Sequence, residues 1–407
     1  MNIKIFFISV VTLLPILSNA QKISAGVSYS LAICIDSTVR AWGYNNYGEL
    51  GNGTTNNSNV PVIVNSLAGI IAVSAGDGHS LALMKDGTVW AWGINISGQL
   101  GNGTFTDSYT PVQVAFLSGI VNITAESQFS VALKNDGTVW TWGNGVNFPM
   151  QISSLTNITA IANGGYSHSI ALRNDGTVWA WGDNTYGQLG NGTNVNSNEP
   201  VWVGSLSGIV AIGSGFFHSL ALKSDGSVWA WGINDFGEVG DGTNTNTNIP
   251  VQVSSLSNVS TIAGGGYLSL ALKNDGTFWA WGRNADGQFG NGNNTSSNIP
   301  VQVSAFNSAS QMAGGNYHSV ILKNDGTVWT SGSNSAGQLG NGSNVSSNVP
   351  VVVSTLCSIA TGVNEISQQS DILIFPNPVQ SELIIELNAS NEVRLTIYDI
   401  VGRKMST

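Results

Sequence analysis

Four histidines, His79, His168, His218 and His318, are the side chains best suited to acid–base or metal chemistry, and each is followed by a serine. They occupy one position of a repeated segment, and the equivalent positions elsewhere hold Tyr29, Phe129 and Leu268. A phenyl ring or an alkyl chain can neither ligate a metal nor carry a proton, so the position reads as packing. A second set of acids, Asp86, Asp136, Asp175, Asp225, Asp275 and Asp325, stands immediately before glycine. An aspartate there caps local backbone N–H groups of a tight turn, and six copies of one acid describe architecture rather than a catalytic centre. Glu49 and Glu238 replace the glutamine of a Gly-Gln-Leu-Gly motif and would form an acid/base pair only by accident of geometry. The glycine-rich run Gly187–Gly192 lacks the Lys-Ser/Thr of a phosphate loop. No G-x-S-x-G, HExxH or paired CxxC occurs. The expectation is a protein without catalytic residues, metal or cofactor.

The elements that hold these residues recur. The glycine after the last tryptophan of each copy falls at Gly43, Gly93, Gly143, Gly182, Gly232, Gly282 and Gly332, at intervals of 50 residues except for one of 39. Within a copy, Ser269 to Lys273 alternates, Asn274-Asp275-Gly276 turns, and Thr277 to Trp281 alternates again. Asp-Gly between alternating runs is a strong hairpin signal. One strand before the hairpin (Val259 to Ala263) and one after a long Asn/Gly loop (Pro300 to Val303) make four strands per unit. Seven such units predict an all-β, seven-bladed β-propeller, since a lone hairpin is marginal and the blades must stack. The tryptophan pairs at i and i+2, such as Trp229 and Trp231, are expected in the core between blades. The outer units deviate, with Arg40 for the first tryptophan and Ser331 for the last.

Composition narrows the setting. The chain has 407 residues, 50 glycines, 9% charged residues and a formal net charge of −10, with no basic cluster outside its last residues. That argues against nucleic acid and anionic membrane surfaces as partners. Lys4, the apolar run Ile5 to Leu17 and Ser18-Asn19-Ala20 read as a signal peptide over residues 1–20, cleaved after Ala20. No segment reaches the apolar length of a transmembrane helix in the mature chain, so a secreted or cell-surface protein is expected.

The combination of AGxxHSLAL, DGTVWAWG, NxxGQLGNG and PVQV resembles the repeat of the regulator of chromosome condensation family, whose fold is a seven-bladed propeller. The resemblance spans Lys22 to Val353 and is specific for fold. In that family one eukaryotic branch is an exchange factor for a small GTPase, and secreted bacterial relatives include propellers that inhibit β-lactamases. An exported acidic chain does not meet a nuclear GTPase, so the exchange activity is not carried over. The propeller is assigned residues 21–362 and a polar linker residues 363–370. Residues 371–407 contain Phe375-Pro376-Asn377-Pro378-Val379 and, later, Ile397-Tyr398-Asp399 with Gly402-Arg403. They resemble the C-terminal sorting domain of the Bacteroidetes type IX secretion system. The chain stops at Thr407, before the further strands usual in that family, so a partial sorting module is expected, with the secretion machinery as its partner and an outer-membrane association.

What varies between units points to function. Between the recurrent glycine and the histidine position lie two turn residues, and units four to seven place Tyr166, Phe216, Phe217, Tyr267 and Tyr317 there. Aromatics on scaffold-held turns of one face are favoured protein contacts. Some of them folding inward to fill the channel mouth is the competing reading. Unit three, 39 residues against 50, lacks the Asn/Gly loop and should leave a notch on the loop-bearing face, by neutral deletion or as a groove. Cys34 and Cys357, the only cysteines, fall in the first unit and just after the last strand, where ring closure would bring them together as a disulfide. The function expected is a non-enzymatic binding protein with a protein ligand. The alternative is a carbohydrate-binding or polysaccharide-degrading surface protein.

Overall fold

Seven four-stranded antiparallel sheets form in chain order, as the repeat predicts. The computed structural model describes residues 22–165 and 168–357, and four short strands further on. The signal segment, Ala20, Tyr166 and the linker over residues 363–370 lie outside the described residues. Blade one comprises Ile23–Ala25, Tyr29–Ile33, Val39–Gly43 and Ser58–Ile63, and every later blade repeats that order from the channel outward. The compact unit ends at Cys357. In the tail, Ile372–Phe375 pairs with Ile384–Leu387 and Ile397–Tyr398 with Lys404–Ser406.

The second strand of a blade, for example His218–Lys223, is buried on both sides because a neighbouring sheet covers each of its faces. The outer strand, Thr247–Gln252 in the same blade, alternates and is partly open to solvent. At the hairpin turns the aspartates do what their spacing predicts. Asp225 Oδ1 accepts from the Ser227 backbone N–H at 2.9 Å and from its hydroxyl at 2.6 Å, and Asp36 does the same for Thr38 at 3.0 and 2.7 Å. Unit one has Ser37 in the glycine slot, at φ 63°.

The tryptophans correct the expectation that both members of a pair are core. Trp231 is fully buried, whereas Trp229 is half-buried with Lys223 Nζ 4.7 Å above its ring. Trp179, Trp279 and Trp329 are covered in the same way by Arg173, Lys273 and Lys323. The cause is position along the strand: the second indole lies under the preceding unit's loop, while the first lies toward the hairpin end, where only a cation covers it.

Because no blade mixes strands from the two ends of the chain, closure rests on contacts between blades one and seven, among them a backbone bond from the Gly342 N–H to the Asn59 carbonyl at 2.8 Å. Ser30 Oγ lies 2.8 Å from His318 Nε2, Trp42 Nε1 donates to the Gln338 carbonyl at 2.9 Å, and Asn59 Nδ2 donates to Asn344 Oδ1 at 2.8 Å. Cys34 and Cys357 form a disulfide with Cα atoms 5.6 Å apart, across 323 residues of chain.

Candidate functional site

Each blade ends on one face with a turn between its first two strands and, in every blade but the third, a long loop between its last two. The loop is pinned by a buried asparagine. Asn184 Oδ1 accepts from the Leu189 N–H at 2.9 Å, while its Nδ2 donates to the carbonyls of Thr193 and Val195 at 2.9 and 3.1 Å. The same asparagine recurs as Asn45, Asn95, Asn234, Asn284 and Asn334. The glycine that enters the loop, Gly93 in blade two, has φ 106°, and a Cβ there would meet the Gly78 carbonyl and His79 Cα. Turn and loop therefore meet on the same face, which is called the loop face below.

On the side of this face formed by blades four to seven the aromatics touch one another. Phe217 stands edge-to-face with Tyr186 at 5.2 Å and with Phe216 at 6.3 Å, and Tyr267 lies 6.0 Å from Phe216 and 6.1 Å from Phe217. Phe236 adds an edge to Tyr267 at 5.9 Å. Arg283 then links the cluster to the last blade, with its guanidinium 5.9 Å from the Phe236 ring and 5.1 Å from Tyr317. Asp286 holds that guanidinium at 2.8 Å. Except for Phe236, which is exposed, the residues are half-buried, because each covers an edge of the next. Phe216 also lines the mouth of the central channel, a cavity of about 240 Å³, and so serves both readings of these turns.

Tyr186, Phe236 and Arg283 were not read from the sequence as site residues. Their signal was present: Tyr47, Tyr186 and Phe236 share the position before the glycine of Gly-Gln/Glu-Leu/Val-Gly, whose loop overhangs the next blade's turn. Only the three-dimensional overlap of loop and turn joins two separate sequence positions into one patch.

Blades one to three present a different surface. A cavity of about 420 Å³ is lined by Tyr44, Tyr47, Glu49, Asp77, Ser127 and others. Burial pushes the Glu49 carboxyl up to about 7 and raises Asp77, to which Ser127 Oγ donates at 3.3 Å. Glu126, in the slot that is glycine in the other units, is fully buried without a side-chain partner, and desolvation holds its carboxyl well above the usual range. Among the described residues no three histidine, cysteine or acidic side chains come together as a metal set, and no helix is long and apolar enough to cross a membrane.

The histidines clasp neighbouring blades. His79, His168 and His218 place Nε2 at 2.8, 2.9 and 2.9 Å from Ser130, Ser219 and Ser269 of the next blade. Each of these serines also donates its proton to a backbone carbonyl, as Ser219 does to Gln188 at 2.9 Å. The imidazole must therefore donate from Nε2, which leaves Nδ1 as a bare buried acceptor. Burial keeps these rings neutral, with His218 pushed down to about 3.

Among known proteins, residues 146–369 match the RCC1-like domain, and residues 36–83, 86–133, 20–49 and 70–99 match regulator of chromosome condensation (RCC1) repeats. Residues 373–407 match the secretion system C-terminal sorting domain. A search of curated proteins found no match. Prp20p from Saccharomyces cerevisiae, in a structure described with its binding to Gsp1p and histones, is similar in fold at TM-score 0.72 and 23% identity, over 88% of this chain and 90% of that one. Human WBSCR16 is similar at TM-score 0.70 and 21% identity, over 78% and 93% of the two chains. With its repeats, blade order and family matches in agreement, the chain belongs to the family of propellers built from regulator of chromosome condensation repeats.

Proposed function

We propose that this chain is an exported, non-enzymatic binding propeller that takes a protein partner on its loop face. The signal peptide over residues 1–20 starts export, and the C-terminal sorting segment directs the propeller to the cell surface or medium. The observation that carries the reading is the run of mutually packed aromatics from Tyr186 through Phe217, Phe216, Tyr267 and Phe236 to Arg283. Held in place by their neighbours, such side chains lose little entropy on contact, which is what a protein interface requires of its anchors. Prp20p, a propeller of the same fold, is described as binding the proteins Gsp1p and histones, which supports a scaffold role without naming this chain's partner.

The carbohydrate alternative is less well supported. Sugars stack on open, flat ring faces, whereas these rings meet mostly edge-to-face and shield one another. Binding of proteins from the native medium and of a glycan array, each measured with the wild-type chain, with Phe217→Ser/Tyr267→Ser and with Ile35→Ser, separates the readings. Protein binding reduced about tenfold by the double variant and unchanged by Ile35→Ser on the opposite face is expected. Glycan binding with the same pattern, and no protein binding, would overturn the proposal.

A further inference from the structure

At the junctions between blades, one recurrent contact welds a loop to the next sheet. The carbonyl before the loop's apolar residue accepts two bonds from the following blade, one from an indole and one from a serine. Gln188 O takes Trp231 Nε1 at 2.8 Å and Ser219 Oγ at 2.9 Å, and Glu49 O takes Trp92 Nε1 at 2.7 Å and Ser80 Oγ at 2.9 Å. Gln99, Glu238 and Gln338 do the same. The next residue, Leu50, Leu100, Leu189, Val239, Phe289 or Leu339, is fully buried in the junction.

The junction between blades three and four lacks all of this. Gly143 is followed by Asn144, Gly145 and the outer strand Val146–Gln151, with no loop and no pinning asparagine. Ser169 and Trp181, paired across the blade-four hairpin, are the residues that would bond the missing carbonyl. Ser169 Oγ is fully buried without a partner, and Trp181, which has no loop carbonyl above it, keeps 7% of its surface exposed at the junction. Phe129 replaces the histidine that would otherwise reach Ser169. A cleft of about 360 Å³ remains, lined by Phe129, Trp142, Met150, Ile152, Trp181 and Glu199 among others.

We infer that this cleft is a docking site for a loop of a partner protein that presents a leucine-sized side chain directly after an accepting backbone carbonyl. The occupant's chemistry is set by the fold itself, because six other junctions display the fragment that fits. The leucine enters the apolar slot between Phe129, Trp142 and Trp181, and the preceding carbonyl accepts from Trp181 Nε1 and Ser169 Oγ. A buried hydroxyl without a partner, here Ser169 Oγ, is costly, and a ligand carbonyl placed against Trp181 Nε1 and Ser169 Oγ relieves that cost, whereas a purely apolar ligand would not. Glu199 at the rim, on a chain of net charge −10, favours a neutral or basic loop. The inference stands independently of the aromatic cluster.

The probe is a cyclised peptide of sequence Asn-Thr-Tyr-Gly-Gln-Leu-Gly-Asn-Gly-Thr, the chain's own segment from Asn184 to Thr193. Calorimetric titration of the full chain is expected to give saturable binding, abolished when the peptide's leucine is replaced by aspartate. Trp181→Phe, which keeps the ring and removes the donor, should weaken it about tenfold. Grafting residues 183–196 between Gly143 and the outer strand of blade three should abolish it by filling the cleft. Should the graft not fold, Ser169→Ala combined with Trp181→Phe supplies the same test. Absence of binding at millimolar peptide, or binding unchanged in these variants, would overturn the inference. Dimerisation of the unliganded chain that the graft abolishes would also overturn it, by assigning the cleft to a second copy.

Discussion

Ser331 Oγ donates to the carbonyl of Gln288 at 3.1 Å, making with a hydroxyl the bond that an indole makes at the other complete junctions. The volume of the missing indole is taken by Phe306, which is fully buried beside it where unit five has Leu256. A Cβ placed on Gly290 would meet Phe306 Cε2 at 2.8 Å and Ser331 Oγ at 2.9 Å, so both side chains line the slot that Trp42 fills over Gly340. Trp→Ser and Leu→Phe are thus one exchange split over two positions.

That pairing gives a double-mutant cycle. Ser331→Trp alone should overpack the junction and cost about 1–3 kcal/mol. Phe306→Leu alone should leave a cavity and cost about 1–2 kcal/mol. Together they rebuild the arrangement of the other junctions, so the double variant should exceed additivity by at least about 1 kcal/mol in chemical denaturation. Additive losses would mean that the two side chains do not share a slot.

Glu49 and Glu238 set a pH dependence of known sign. Both are buried with one carboxyl oxygen lacking a partner, and burial raises each to about 7 from an ordinary 4.5. The folded state therefore holds the proton longer than the unfolded chain. Their contribution is favourable below about pH 4.5 and is lost as pH rises through about 7. The clasping histidines act in the opposite sense: with folded values near 3 to 4 against 6.5, they lose stability as pH falls below 6.5. The difference between variant and parent isolates the glutamates. Glu49→Gln and Glu238→Gln should each add about 1–3 kcal/mol at pH 8 and nothing at pH 4. A gain of equal size at both pH values would refute this assignment.

The disulfide should latch the ring. Joining Cys34 to Cys357 closes a loop of 323 residues in the unfolded chain, and Cys34→Ser/Cys357→Ser should cost about 2–4 kcal/mol. Reducing agent should destabilise the parent by the same amount and leave the double serine variant unchanged. Two free thiols in mass spectra of the exported protein would remove the latch and leave closure to contacts such as Ser30–His318.

Much of this was legible because a repeat states its own exceptions. Seven hairpins, seven glycines and one 39-residue interval point to seven blades with one loop missing, and the aspartate turns follow from Asp-Gly alone. The site was legible only in part. Phe216, Phe217, Tyr267 and Tyr317 stand out against their counterparts in units one to three, but Tyr186 and Phe236 reach them from loops of neighbouring blades, and nothing within one repeat encodes that overlap. The half-burial of the first tryptophans was also hidden, since period two assigns a face but not the depth beneath a loop. The orphaned Ser169 becomes visible only once the six filled junctions show what it lacks.

The claim that the loop face engages protein is tested most directly by site-specific photo-crosslinking in the exporting cells. A photoreactive phenylalanine analogue is placed at Tyr267 in the aromatic cluster or at Ile35 on the opposite face, where the side chain is 95% exposed. Discrete protein adducts from position 267 and none from position 35 are predicted. Adducts of equal yield from both positions, or from position 35 alone, would contradict the account.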